Sequence, residues 1–198
     1  TSCTAQPTCG AGELMSTDTK TAERTCSACP VNTYQTSSSH RDTSCATQPT
    51  CGAGEVMSED TKTAERTCSA CPANTYQTSA SHRSTSCTAQ PTCGAGKRIS
   101  ADTKTAERTC SDCPANTYQT SLSHRDTSCT AQPTCNQGQL MSTDTLTAQR
   151  TCSACPANTY QTATEHRLTS CLDQPTCGAG QKMSADTKTA ERTCSACP

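Results

Sequence analysis

Phenylalanine and tryptophan are absent from this 198-residue chain, and its only aromatic residues are four evenly spaced tyrosines, Tyr34, Tyr76, Tyr118 and Tyr160. The larger aliphatics are scarce as well: Val31, Val56, Ile99, six Leu and four Met, so that much of the 31% hydrophobic content is Ala and Cys. A large apolar side chain contributes roughly 1.5–3 kcal/mol when fully buried. Fixing the backbone costs roughly 1–2 kcal/mol per residue. This scarcity excludes a large hydrophobic core. No charge of one sign dominates, with 16 basic against 17 acidic residues and a net charge of −1. That balance argues against a basic stripe for nucleic acid and against a polybasic membrane patch. No apolar run approaches the ~20 residues that span a bilayer. A secretory leader is not visible either, which suggests an internal piece of a longer secreted precursor.

What the chain does hold is cysteine. Twenty of its residues are Cys, about the 10% level that marks a disulfide scaffold. Their register returns every 42 residues without a slip, as Cys3, Cys45, Cys87, Cys129 and Cys171 illustrate. A period of this size governs every later assignment. Two loops alternate: a Cys-Pro loop, Cys29-Pro30-Val31-Asn32-Thr33-Tyr34 through His40-Arg41 to Cys45, and a Cys-Gly loop, Cys51-Gly52-Ala53-Gly54 through Glu65-Arg66-Thr67 to Cys68. Residues 1–28 make a partial module; 29–70, 71–112, 113–154 and 155–196 are repeats; 197–198 start the next, so the chain reads as a window of a longer array. Closing a loop of about 15 residues contributes about 3 kcal/mol in the chain-entropy model. Such bonds persist in oxidising compartments, which points to an extracellular or cell-surface location.

Between the cysteines, Gly10 and Gly12 suit a turn needing positive φ or a close backbone approach. Asn32, Asn74, Asn116 and Asn158 follow Cys-Pro-x and suit a left-handed position. The Thr-rich flanks read as short strands, and Thr19-Lys20-Thr21-Ala22-Glu23-Arg24 is too short and Thr-rich for a helix. His40, His82, His124 and His166 each precede an Arg; too little apolar mass surrounds them to build a catalytic pocket, and they read as exposed ribbon residues. The Lys-Thr-Ala-Glu-Arg run reads as a solvated face, and each Tyr as a lid over a disulfide forming the module's small core. The C-x-x-C pairs, Cys26 and Cys29 for example, have a zinc-knuckle or redox-dithiol reading. The companion pair is C-x5-C, however, and structural disulfides are the stronger expectation. The fourth repeat drifts most, with Asn136-Gln137-Gly138, Leu146, Gln149, Glu165 and Leu168 at otherwise regular positions.

The spacing C-x2-C-P-x-x-T-Y-x10-C-x5-C-x16-C resembles the cysteine-rich domains of the tumour necrosis factor receptor superfamily and the related ephrin-receptor-like modules. The resemblance covers the whole chain, with Asn at the place where those modules usually carry Gly. It implies loops closed in sequence: Cys9–Cys26, Cys29–Cys45, Cys51–Cys68, Cys71–Cys87, Cys93–Cys110, Cys113–Cys129, Cys135–Cys152, Cys155–Cys171 and Cys177–Cys194. Cys3 and Cys197 then have no partner. The residues alone also permit an interleaved ladder, Cys3–Cys26 with Cys9–Cys29. The expected fold class is therefore small and disulfide-rich. It is an elongated tandem array of cysteine-rich modules with short two-stranded β ribbons, little helix and no large hydrophobic core.

The chain holds 40 Thr and 23 Ser, and no Asn begins an N-x-[ST] sequon. O-glycans are therefore the expected modification, with Thr4, Thr8, Thr36 and Thr43 as typical sites. No enzyme, cofactor or metal is expected. The functional expectation is a structural extracellular repeat protein: the shaft of a filament, surface appendage, coat or stalk. Its partners are neighbouring copies of the same array, with no nucleic acid and no membrane segment. The alternatives are a ligand-binding ectodomain of the tumour necrosis factor receptor type and a repetitive surface antigen or adhesin. Near-identical repeats suit assembly, which reuses one surface; a ligand site needs a few distinctive hot-spot residues.

Overall fold

The computed structural model describes residues 5–198. Among them there is no helix, and the regular structure is nine two-stranded antiparallel ribbons. The chain divides into two compact units, Thr1–Gln90 with Asp102–Arg108 and Pro91–Ala101 with Thr109–Pro198. In the first, β1 (Glu13–Met15) pairs with β2 (Cys26–Ala28), β3 (Thr33–Tyr34) with β4 (Ala46–Thr47), β5 (Glu55–Met57) with β6 (Cys68–Ala70), and β7 (Thr75–Tyr76) with β8 (Thr88–Ala89). In the second, β9 (Lys97–Ile99) pairs with β10 (Cys110–Asp112), β11 (Thr117–Tyr118) with β12 (Thr130–Ala131), and β13 (Gln139–Met141) with β14 (Cys152–Ala154). There β15 (Thr159–Tyr160) also pairs with β16 (Leu172–Asp173), and β17 (Gln181–Met183) with β18 (Cys194–Ala196).

Two backbone positions fix where these ribbons begin. Gly12 (φ 80°) and Gly54 (φ 80°) immediately precede β1 and β5, in the left-handed region open to Gly at no steric cost. Asn32, Asn74, Asn116 and Asn158 take φ of 60–62° just before the Thr-Tyr strands. Asn tolerates that region better than most side chains. The carbonyl of Pro30 then accepts both Thr33 N–H (3.2 Å) and the Thr33 hydroxyl (2.9 Å), closing the turn. Strand ends are set by side chains too. Ser16 Oγ accepts Thr25 N–H at 3.0 Å, just past the last ladder pair Met15–Cys26.

Among the described residues nine disulfides close the loops: Cys9–Cys26, Cys51–Cys68, Cys93–Cys110, Cys135–Cys152 and Cys177–Cys194 around the Cys-Gly loops, and Cys29–Cys45, Cys71–Cys87, Cys113–Cys129 and Cys155–Cys171 around the Cys-Pro loops. With separations of 16 or 17 residues, each contributes roughly 3 kcal/mol in the chain-entropy model. The interleaved ladder is not the pairing here, because Cys29 is bonded to Cys45 rather than to Cys9. Cys3 lies outside the described residues, and Cys197 is a free, exposed thiol.

The core differs from the expectation. Met15, Met57, Ile99 and Met141 are each only 1–2% exposed, at the last residue of β1, β5, β9 and β13. The first cysteines of the loops are buried as well, from Cys9 and Cys29 through Cys135 and Cys155. Each of those strand ends is held from its outer edge by the following Cys-Pro loop, Met15 N–H donating to Asp42 O at 2.8 Å and Met57 N–H to Ser84 O at 2.9 Å. The tyrosines are only half-buried. A further share of the interior is polar: Gln48, Gln90 and Gln132 are as buried as the methionines.

Candidate functional site

The residues that recur in every copy converge on backbone groups. Gln48 in the Gln-Pro-Thr segment donates from Nε2 to Ala64 O (3.0 Å) and accepts Arg66 N–H at Oε1 (2.8 Å). A primary amide thus stands in for a missing strand neighbour. Gln132 and Gln174 make the same pair of bonds, to Ala148 and Arg150 and to Ala190 and Arg192. Buried backbone groups are satisfied almost without exception. This glutamine satisfies two that no strand reaches.

The arginine that closes the Cys-Gly loop turns back on its own ribbon: Arg66 Nε donates to Ser58 O at 2.6 Å, and Arg150 Nε to Ser142 O at 2.7 Å. The Lys-Thr-Ala-Glu-Arg run is solvated at its centre, where Thr63, Ala64 and Glu65 are exposed, but its arginine is not: Arg66, Arg108 and Arg150 are buried. Its lysine is also engaged. Lys62 takes φ 57°, its N–H donating to Asp60 Oδ1 (3.1 Å), and its ammonium donates to Cys29 O at 2.8 Å. The adjoining Thr63 methyl sits against Gly12, where a Cβ would stand 3.1 Å from it. Successive Cys-Gly loops, one period apart, lock through that glycine.

The histidines are likewise not the exposed ribbon residues expected. His40, His124 and His166 are buried, and each is bridged through its backbone to the first cysteine of the preceding Cys-Gly loop, as Cys9 is to His40. His40 Nε2 lies 3.0 Å from Gly10 O while Nδ1 accepts Asp42 N–H at 3.1 Å. A carbonyl only accepts, and an N–H only donates, which assigns the neutral Nε2–H tautomer. The exposed Asp42 carboxylate stands 3.7 Å from His40 Nδ1, as that of Asp126 stands 3.5 Å from His124 Nδ1. The neighbouring Arg83 donates from Nε to Pro49 O (2.9 Å) and from Nη2 to Gln48 O (2.6 Å), and Arg167 repeats the pair on Pro133 and Gln132. His and Arg therefore dock each Cys-Pro loop on the Gln-Pro-Thr segment and Cys-Gly loop before it.

The candidate metal chemistry is occupied by other bonds. Cys26 is bonded to Cys9, and Cys29 to Cys45, so the C-x-x-C pair forms neither a knuckle nor a dithiol. Cys9, Glu13 and Cys26 lie close together, as do Cys51, Glu55 and Cys68. Their sulfurs are bonded to one another, and the carboxylates already accept backbone N–H groups, Glu13 from Gly10 (3.0 Å) and Glu55 from Gly52 (2.8 Å). Gln139 and Gln181 do the same with a neutral amide oxygen, at 3.0 Å to Asn136 and Gly178. Charge is thus incidental to this turn-closing role.

Tyr34 carries a perturbed phenol. Partial burial, and then the charge and hydrogen bond of the Glu65 carboxylate, push its pKa above the ordinary 10.0. In the drifted repeat the counterpart pair is neutral, Tyr118 OH donating to Gln149 Oε1 at 3.4 Å.

Of the predicted modification sites, Thr8, Thr36 and Thr43 are exposed, and Thr4 lies outside the described residues. The exposed large hydrophobics are Val31 (76%), Leu122 (86%), Leu168 (50%) and Leu172 (54%). The three leucines stand where sister repeats carry Ser38, Asp42 and Thr88. The roles of Gln48, Lys62 and Arg66 escaped the sequence reading. Their signal was recurrence at fixed offsets, like that of the cysteines, and an Asp two residues before each lysine. No described helix is long and apolar enough to cross a membrane.

No protein-family model matches the chain, and no curated protein matches it. Among solved structures, it is similar over 93% of its length to 99% of a chain in "Human RANKL/OPG complex", at 17% identity and a TM-score of 0.35. It is also similar over 81% of its length to 98% of a chain in "Crystal structure of mouse RANKL-OPG complex", at 16% identity and a TM-score of 0.29. In cysteine spacing, sequential loop closure and two-stranded ribbons, the tandem repeats resemble tumour necrosis factor receptor-type cysteine-rich modules.

Proposed function

We propose that this chain is a non-enzymatic, extracellular array of cysteine-rich modules that engages another protein through the residues in which its repeats differ. The observation that carries this reading is how the recurring polar side chains are spent. Gln48, Lys62, Arg66, His82 and Arg83 all point into backbone hydrogen bonds of the array itself. Function then falls to the exposed positions that change from copy to copy. Leu122, Leu168 and Leu172 are exposed apolar residues of the second unit at positions where sister repeats carry Ser38, Asp42 and Thr88. The module build resembles receptor ectodomains, which gives the reading its precedent. Nine disulfides suit an oxidising, extracellular setting.

A second reading is favoured by a different observation. The Gly12–Thr63 and Gly54–Thr105 contacts in the first unit, and Gly138–Thr189 in the second, repeat one lock between successive Cys-Gly loops. Such uniform locks suit a shaft of a filament, appendage, coat or stalk, carrying O-glycans on exposed threonines and assembling with its own copies. One experiment separates the two. The secreted 198-residue chain and its Leu122→Ser/Leu168→Asp/Leu172→Thr variant are compared for saturable binding to protease-treated and untreated cells, and for assembly by sedimentation and electron microscopy. Protease-sensitive binding lost in the variant supports the first reading. Polymer formed equally by both proteins, without such binding, replaces it with the second.

A further inference from the structure

The lysine latch is present in three described copies and missing in one. Lys62, Lys104 and Lys188 donate from Nζ to Cys29 O, Cys71 O and Cys155 O at 2.8, 2.7 and 2.7 Å. All three sit in the left-handed region, with N–H bonded to Asp60, Asp102 and Asp186 at 3.1 Å. At the equivalent place in the drifted repeat stands Leu146. It has no donor for Cys113 O, and it is not in the left-handed region. The loop there is rebuilt locally: Thr145 hydroxyl donates to Ala148 O (3.4 Å), and Gln132 Nε2 is shared between Thr145 O (3.3 Å) and Ala148 O (3.0 Å). Two ties survive unchanged. Gln119 N–H donates to Leu146 O at 3.0 Å, the length at which Gln35, Gln77 and Gln161 bond to Lys62, Lys104 and Lys188. The Thr147 methyl still faces Gly96, 3.2 Å from where a Cβ would stand.

We infer that the contact between the Leu146 loop and the Cys113–Cys129 loop is a compliant joint, the place where an otherwise latched array opens first. A charged donor on a carbonyl makes one of the stronger hydrogen bonds in proteins. Removing it, together with the left-handed turn that presents it, leaves the Gln119–Leu146 backbone bond and the long Tyr118–Gln149 hydrogen bond (3.4 Å) to hold this contact. Leu146 is half-buried, with its Cβ 3.3 Å from where a Cβ on Gly96 would stand, and it brings no hydrogen-bond donor in exchange. Opening here is independent of what the array binds. It gives the exposed leucines of the same unit, Leu122 and Leu168, freedom to move relative to one another.

The test uses the four equivalent amides of the full chain, whose hydrogen bonds have the same length and differ in the latch. Amide exchange by NMR should show Gln119 exchanging about tenfold faster than Gln35, Gln77 and Gln161, a difference of about 1.4 kcal/mol in opening free energy. Leu146→Lys should bring Gln119 most of the way back to its counterparts, and Lys104→Leu should accelerate Gln77 by a similar factor. Equal exchange of all four amides in the unmodified chain overturns the inference without any variant. So does a Lys104→Leu protein in which Gln77 stays as protected as before.

Discussion

Gln48 and Arg66, eighteen residues apart, meet in the buried interior, where the Arg66 N–H donates to Gln48 Oε1 at 2.8 Å. The other end of the same amide donates to Ala64 O at 3.0 Å. Replacing Gln48 by Ala strips a donor and an acceptor of their partners at once. An unsatisfied buried backbone group costs about 1–3 kcal/mol. Gln48→Ala should therefore cost about 2–4 kcal/mol in denaturant unfolding, more than most surface changes. Gln48→Glu keeps the acceptor for Arg66 but sets a carboxylate oxygen against Ala64 O, and it too should be destabilised. Wild-type stability in either variant would show that the amide is not holding the loop.

The cysteine ladder makes a covalent prediction. Non-reducing digestion should yield peptides linking Cys51 to Cys68 and Cys71 to Cys87, the pairs seen here. Recovery of Cys45–Cys68 peptides instead would put the interleaved ladder in their place. Reduction should abolish the fold at ordinary temperature, since losing one native disulfide from a small secreted domain costs about 2–5 kcal/mol. The methionine core is too small to compensate. A reduced chain that keeps its amide dispersion would show that polar clamps suffice.

Much of this architecture was legible in the chain. The Cys-Pro-x-Asn run predicted a left-handed residue at Asn32, and φ is 62° there. The dearth of aromatics predicted ribbons without a large core. The interior's chemistry was not legible, because composition treats Gln, His and Arg as surface residues. In loops whose disulfides span 16 or 17 residues, strands are two or three residues long. They leave many backbone groups without ladder partners, and Gln48, His40 and Arg83 fill those vacancies. Burial of polar side chains here is a consequence of short strands.

The histidine tautomer is directly measurable. In long-range proton–nitrogen spectra at neutral pH, His40, His124 and His166 should carry their proton on Nε2 with Nδ1 bare, as the Gly10 carbonyl and Asp42 N–H require at His40. Protonation on Nδ1 alone would reverse both bonds. His124→Ala should loosen the Cys-Pro loop from Gly94 and cost about 1–3 kcal/mol, the range for leaving a buried partner unpaired.

Tyr34 supplies a pH dependence with a definite sign. Its folded-state pKa lies above 10.0, through partial burial first and Glu65 second. A group whose pKa is raised on folding contributes stability that is present below its unfolded value and is lost as pH rises through the folded one. Stability should therefore fall at alkaline pH, and Tyr34→Phe should make that fall shallower. Glu65→Gln should bring the phenol titration of Tyr34, followed by ultraviolet absorbance, down towards its ordinary position. An unshifted titration in Glu65→Gln would leave burial as the sole cause.

The lock between loops can be isolated by comparing two glycines with nearly the same backbone. Gly54 has φ 80° and Gly180 has φ 76°, so an alanine at either place meets a similar left-handed strain, on the order of 1–2 kcal/mol. Their surroundings differ. A Cβ on Gly54 would stand 3.1 Å from the Thr105 methyl and 3.6 Å from Lys104 O, whereas one on Gly180 would meet nothing within 4 Å. The added methyl at Gly54 must push a neighbouring loop outward, and overpacking of that kind typically costs about 1–3 kcal/mol beyond the strain. Gly54→Ala should therefore destabilise more than Gly180→Ala. Adding Thr105→Ser, which removes the obstructing methyl, should recover the excess but not the strain, giving a coupling energy between positions 54 and 105 in a double-mutant cycle. Additive effects of Gly54→Ala and Thr105→Ser would mean that the two loops yield freely, and the lock would lose its place in the account of how successive Cys-Gly loops hold together.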